Sequence, residues 1–295
     1  MSTTIKSAIK THQAFVFRSL LVLVISIVPV ISAVAQYAGP DLIDAAQKGW
    51  SGRVTTILKS KVDPDYVSKG GHTALMFASN KGSLETVNVL LEFEADPNMK
   101  DQFGQTALMY AAANGEYFVI RRLIENKADP NLLDDEGKSA LLIAAKAGHA
   151  EAVRVLLSGG AKTNVQNKYG WSSLHFASYR GFTKIVERLV EYDADVNLRE
   201  IENKTPVLLA AARAKDDIIR ILAKRGADLN HADKNGWTPL VYAAYRGETQ
   251  TVYLLTGLGA DLNRKTRKGF TALKFASLKK HVRIADYLKT NGASD

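Results

Sequence analysis

The 295-residue chain contains no cysteine. This absence excludes disulfide bonds, zinc sites with cysteine ligands, a thiol nucleophile and an N-terminal cysteine that carries a lipid. The fold must therefore be stabilised by packing alone. With 46% hydrophobic and 23% charged residues, the composition is that of a folded chain. It excludes a disordered tail protein, a collagen-like fibre and a protein with several membrane spans.

Acidic residues are missing from residues 1–35, which carry three basic residues before an apolar run at 20–31. Small residues at 33–35 close the segment, and this order is typical of a secretory signal peptide. The alternative is an uncleaved anchor, but the apolar stretch 19–35 is shorter than the roughly 20 residues of a spanning helix. We therefore expect a periplasmic or secreted protein, most simply in a bacterial periplasm, with no integral membrane span after cleavage. Residues 36–40 form a short extension.

Glycine returns every 33 residues from Gly71 to Gly269, with Asn203 at the one vacant position. Other residue types keep the same step: a Thr or Ser two positions after the glycine, an alanine seven positions after it and a leucine nineteen positions after it. Most units then carry an Ala-Asp-x-Asn stretch, as at 95–98 and 128–131. No insertion breaks this spacing, so the sequence predicts repeated structural units rather than one or two compact domains.

The residue types explain the spacing. The Thr or Ser is predicted to cap a short first helix by accepting hydrogen bonds from backbone N–H groups two or three residues on. A left-handed glycine such as Gly82 ends that helix, and a glycine such as Gly160 follows the second helix. The Asp-x-Asn stretch is interpreted as a local turn former at the start of a finger loop, not as part of a calcium cage. In the sixth unit Ala214 replaces the helix-ending glycine, and we expect it at positive φ.

This 33-residue period, opening with Gly-x-Thr-Pro/Ala-Leu as at 71–75 and 236–240, resembles the ankyrin repeat from Asp41 to the C-terminus. The family's histidine after the leucine is present only as His175. The resemblance implies an all-α solenoid of helix-turn-helix units with hairpin-like finger loops. The predicted units are 41–67 as an N-terminal cap, 68–100, 101–133, 134–166, 167–199, 200–232, 233–265 and 266–295 as a C-terminal cap.

No pattern in the chain points to catalysis. Five histidines follow residue 35, and none has metal-ligand spacing to another. A His-Glu-x-x-His motif, a Gly-x-Ser-x-Gly motif and a phosphate-binding glycine-rich loop are all missing from the sequence. We therefore expect no enzyme activity, no catalytic residue, no metal and no cofactor.

Residues that escape the repeat are the candidates for binding, because their identity is not required by the fold. The fifth and seventh units share a Trp, a Tyr and an Arg at equivalent positions, and these types dominate binding hot spots. The alternative is that the Trp rings only stack between adjacent fingers. The predicted partner-binding residues are Phe103, Tyr169, Trp171, Tyr179, Arg180, Arg199, Lys204, Arg213, Trp237, Tyr245, Arg246 and Phe270.

Basic residues concentrate at the C-terminal end, where residues 264–289 hold nine Lys or Arg and one Asp. This charge either steers an acidic partner or only keeps the terminal unit soluble. Export argues against nucleic acid as the partner.

The resemblance implies a protein interaction module that is a monomer on its own. Exported members of the family are associated with periplasmic enzymes, so the expected partner is an acidic-surfaced periplasmic enzyme. We expect binding to modulate or inhibit that enzyme, for example a cell-wall hydrolase in an immunity-like role. The alternatives are a scaffold or support factor for a periplasmic enzyme such as a catalase, and a protein that binds anionic cell-wall glycan.

Overall fold

The computed structural model describes residues 38–294, and this part of the chain is helical throughout apart from its turns and one isolated bridge between Val67 and Thr73. The predicted signal peptide lies outside the described residues. The helices form eight consecutive pairs, which we number as units one to eight. They are α1 (38–48), α2 (Ser51–Lys59), α3 (Ala74–Lys81), α4 (Leu84–Glu92), α5 (Ala107–Asn114), α6 (Tyr117–Glu125), α7 (Ala140–Ala147), α8 (Ala150–Ser158), α9 (Ser173–Arg180), α10 (Thr183–Glu191), α11 (Pro206–Ala211), α12 (Asp216–Lys224), α13 (Pro239–Arg246), α14 (Thr249–Gly257), α15 (Ala272–Leu278) and α16 (Val282–Thr290). This is the all-α repeat architecture that the sequence predicts.

The first helix of each unit from two to eight follows a Thr or Ser, as the repeat predicts. In six of these seven units the hydroxyl oxygen accepts a hydrogen bond from the backbone N–H three residues on, at 3.1–3.4 Å. The cap prediction is wrong for Thr205, whose side chain makes no capping bond and whose buried hydroxyl has no partner among the described residues. The helix that it precedes, α11, is also short at six residues.

Positive φ angles recur at three places in the unit: after the first helix, after the second helix and at the finger turn. Ala214 lies at the first of these places in unit six, with φ of +51°, which confirms the left-handed conformation expected there. Asn203 holds the finger turn of the same unit at +63°. Unit six therefore keeps the backbone shape of its neighbours at these two places without glycine.

The first helices carry small residues at the positions where neighbouring units meet. Ala111, Ala144, Ala177, Ala210 and Ala243 have no exposed surface. Successive first helices accordingly pack more closely than successive second helices. The array therefore curves with its first helices on the inside, and we call the surface formed by the first helices and the finger loops the concave side. One hydrophobic core runs through all eight units.

Asparagine side chains join each finger loop to the next unit. Asn131 accepts a hydrogen bond from the backbone N–H of Lys162 at 2.8 Å and donates to the carbonyl of Gly160 at 3.2 Å. Asn98 likewise accepts a hydrogen bond from the backbone N–H of Asp129, and Asn164, Asn197, Asn230 and Asn263 accept equivalent bonds. The sequence interpretation of these residues as local turn formers is therefore incomplete, because each also bridges two units.

Candidate functional site

Both tryptophans of the predicted binding set lie half-buried on the concave side, each directly after a finger loop. The backbone N–H of Trp171 donates to the Asn167 side chain at 3.0 Å, and that of Trp237 donates to the Asp233 carboxylate at 2.9 Å. Among the described residues, every aromatic ring that either Trp contacts belongs to a first helix. The ring contacts are thus not with adjacent fingers.

The cluster around Trp171 lies in unit five and extends into unit six. The Trp171 ring lies 4.7 Å from the ring of Phe176 and meets Tyr179 edge-on at 5.7 Å. The guanidinium of Arg213 stacks on Tyr179 at 4.3 Å and donates a hydrogen bond to its hydroxyl. Arg180 is exposed at the end of the same helix. The structure therefore brings three predicted site residues into contact here, Trp171, Tyr179 and Arg213, and Arg180 directly follows Tyr179 in the sequence.

The cluster around Trp237 is larger because it joins units seven and eight. The Trp237 ring lies 5.0 Å from Tyr245 and 4.8 Å from Phe275, and Phe270 meets Phe275 edge-on at 5.4 Å. These rings border an open pocket of about 640 Å³, which we call the unit 7/8 pocket. Its lining residues are Asn235, Trp237, Tyr242, Tyr245, Arg246, Arg267, Lys268, Phe270 and Phe275.

Four residues of this pocket belong to the predicted set, and the other five were not predicted from the sequence. Tyr242 and Phe275 occupy a first-helix position that is apolar or aromatic in units two to eight, so the repeat gives no reason to single them out. Arg267 and Lys268 belong to the basic C-terminal run. The sequence predicts the positive charge of that run but does not place these two residues at a pocket. The finger-turn residue Asn235 lies beside Arg267, because its carbonyl accepts a hydrogen bond from the Arg267 N–H at 3.0 Å.

The aromatic rings that line the unit 7/8 pocket are uncharged. The Tyr242 hydroxyl donates to the buried Asp233 carboxylate at 2.8 Å. Burial raises the pKa of Tyr242 well above its usual range, and the bond to Asp233 raises it further. Tyr242 therefore stays neutral, and its hydroxyl is committed to an internal partner. No lining residue is acidic, so the charged residues among those that line the pocket are the three cations Arg246, Arg267 and Lys268.

The remaining predicted residues lie apart from the unit 7/8 pocket. Phe103 and Tyr169 are finger residues with 56% and 51% of their surface exposed, and Arg199 is an exposed finger residue. Lys204 is half-buried, and its carbonyl accepts a hydrogen bond from His175 at 3.2 Å. The structure thus distributes the predicted set along the concave side instead of gathering it at one point.

His175, the histidine that the repeat resemblance singled out, is a structural residue. Burial lowers its pKa to about 4, so the imidazole is neutral at physiological pH. Its Nδ1 accepts from the Ser172 backbone N–H at 3.2 Å, which leaves Nε2 as the donor to Lys204. Between residues 38 and 294, no three His, Asp or Glu side chains come together as a metal site would require. No helix in that range is long and apolar enough to cross a membrane.

Comparison with known proteins agrees with this architecture. The family model described as ankyrin repeats (3 copies) matches residues 42–134, 114–200 and 207–295. The crystal structure of the human ASB11 ankyrin repeat domain is similar, with a TM-score of 0.67 and 27% sequence identity over 76% of this chain and 100% of that one. No curated protein sequence matches significantly. Members of this family are typically interaction modules without enzymatic activity. Because the family model covers nearly all of the described helices, the chain belongs to the ankyrin-repeat family.

Proposed function

We propose that this chain is an exported bacterial protein that binds an acidic-surfaced periplasmic enzyme and modulates or inhibits it. The observation that carries the proposal is the concave side of units five to eight, where two aromatic clusters each meet arginine side chains. Such residues provide large apolar area with a polar tip, and they lose little conformational entropy on binding. A rigid arch that grips a protruding part of an enzyme can cover the entrance to its active site.

Residues 1–35 support the location. We expect intact-mass measurement of the protein from its native envelope to give a chain that starts at residue 36, because the small-residue site at 33–35 follows an apolar run too short for a comfortable span. A mature chain that still begins at residue 1 and stays with the membrane would contradict the proposed location.

The binding test is affinity capture from an envelope extract, followed by an activity assay of the captured enzyme with and without the chain. Trp237→Ala should weaken the complex by about 2 kcal/mol or more, as hot-spot truncations do. Trp50→Ala is the control for the loss of a tryptophan, because Trp50 is 50% exposed and lies in unit one, outside the proposed binding surface of units five to eight.

The assay also separates the alternatives. Reduced enzyme activity in the complex supports modulation or inhibition. A captured enzyme that remains fully active would instead indicate a scaffold or support factor. Sedimentation of the chain with purified cell-wall sacculi, lost in salt, would indicate a glycan-binding protein.

A further inference from the structure

We propose that the unit 7/8 pocket receives an aromatic side chain from an extended acidic segment of the partner protein. Carboxylates that flank this side chain pair with Arg246, Arg267 and Lys268. The inference rests on the proposed function, and it specifies the chemistry of the partner at one place on the concave side.

The walls of the pocket suit an aromatic ring. Trp237 and Tyr245 meet at 69°, and Tyr245 and Phe275 meet at 87°, so ring edges and ring faces both border the cavity. An inserted ring can therefore make edge-to-face contacts in addition to burying its apolar area. A volume of about 640 Å³ lies within the usual range for ligand pockets and exceeds the space that one side chain fills. It leaves room for the backbone beside an anchor residue.

The rim of the pocket suits carboxylates. Arg267 and Lys268 are exposed, and neither forms an ion pair with any residue between 38 and 294. Arg246 lies 4.0 Å from Glu248, at the outer limit of an ion pair. Arginine binds carboxylates through two parallel N–H donors, which adds geometric selectivity to the charge attraction. An acidic segment would thus find cations beside uncharged aromatic rings.

The charge pattern along the fingers favours an acidic peptide over a nucleic acid. At the matching finger position of two preceding units, a lysine is paired with an acid: Lys234 lies 3.6 Å from Glu202, and Lys168 lies 3.1 Å from Glu136. Affinity for a nucleic acid grows with the number of backbone phosphates that Lys and Arg side chains neutralise. The matching residue of unit eight, Arg267, and its neighbour Lys268 form no ion pair with residues 38–294, which matches a short acidic cluster around one apolar residue.

The direct test uses the fluorescence of Trp237. The chain has three tryptophans, so Trp50→Phe with Trp171→Phe leaves Trp237 as the single reporter. The probe is a synthetic peptide without tryptophan in which one phenylalanine lies between runs of aspartate and glutamate. We expect a saturable change in Trp237 emission. A peptide with glycine in place of the phenylalanine, and one with amides in place of the carboxylates, should each bind about tenfold more weakly or worse.

Charge variants test the same site without disturbing the core. Arg267→Glu with Lys268→Glu should weaken binding of the acidic peptide about tenfold or more while the unfolding midpoint stays unchanged. The matched control is Arg220→Glu with Lys224→Glu, which makes the same change in net charge on exposed residues of the second helix α12. This control should bind the peptide like the unaltered chain.

Three results would overturn the inference: equal weakening by both charge pairs, equal affinity for the phenylalanine and glycine peptides, or tighter binding of a single-stranded oligothymidylate than of the acidic peptide. The proposed function fails separately. If the captured natural partner binds equally well to the Arg267→Glu, Lys268→Glu variant, the pocket inference is wrong while the interaction module stands. If no envelope protein is captured but the peptide binds as described, the proposed function is wrong and the pocket inference stands.

Discussion

At the scale of single residues, one methyl group distinguishes Ala214 from the glycines at the same position in six of the other seven units. Its φ of +51° is a conformation that costs an L-residue free energy and costs glycine none. We therefore expect Ala214→Gly to stabilise the protein by roughly 0.5–1 kcal/mol, after allowing for the greater entropy of glycine in the unfolded chain. Denaturant midpoints measure the effect.

The equivalent change in the opposite direction is the control. Gly181 has φ of +85°, and a Cβ atom there would lie 2.8 Å from the Lys215 side chain. Gly181→Ala should therefore destabilise the protein by about 1 kcal/mol, mainly through backbone strain. If both variants shift the midpoint in the same direction, the backbone at this turn does not control stability.

At the scale of the repeated element, the asparagine bridges predict how strongly each finger holds the next unit. Asn131→Ala removes two hydrogen bonds that cross from unit three to the end of unit four. We expect a loss of about 1–3 kcal/mol, since each net hydrogen bond contributes about 0.5–1.5 kcal/mol. Thermal or denaturant unfolding of the variant measures this loss.

Asn126→Ala serves as its comparison, because among residues 38–294 the Asn126 amide donates only to the Arg122 carbonyl of the same unit, at 2.8 Å. That variant should lose less than about 1 kcal/mol. Equal losses of stability at the two positions would show that hydrogen bonds between units stabilise the protein no more than hydrogen bonds within a unit.

At the scale of the whole molecule, we expect unit six to be the least stable unit of the array. Thr205 provides no cap, α11 is two residues shorter than α13, and Glu200 accepts one backbone N–H where Asp233 accepts two. A lost cap alone costs about 1 kcal/mol. Because each unit is held only by its neighbours, we expect the array to open there first.

Hydrogen exchange followed by mass spectrometry tests this expectation. Amides of α11 should exchange about five- to tenfold faster than those of α7, which is the kinetic equivalent of about 1 kcal/mol. Ala214→Gly should slow exchange in α11 more than in α7. Equal protection of the two helices in the unaltered chain would refute the assignment of unit six as the weak link.

Much of the fold could be predicted because its requirements are local. A left-handed turn selects glycine and a helix start selects Thr or Ser, so these residue types recur every 33 residues. Thr205 shows that a Thr or Ser at this position does not guarantee the capping hydrogen bond. The unit 7/8 pocket could be predicted only in part, since Trp237 departs from the repeat while Phe275 occupies a position that is apolar or aromatic in every unit from two to eight. The asparagine bridges were missed because the backbone group that each one binds lies 31 residues away in sequence.

The same bridges restrict how this protein can change over evolutionary time. Each asparagine binds a backbone group 31 residues farther along the chain, so inserting or deleting a few residues within a unit would move that group out of reach. Gain or loss of a whole unit leaves every bridge intact. The chain can therefore lengthen, shorten or exchange parts in steps of 33 residues, and a pair of units with its pocket can be duplicated as one module. Units five and seven, which share Trp, Tyr and Arg at equivalent positions, have the pattern that such a duplication would leave.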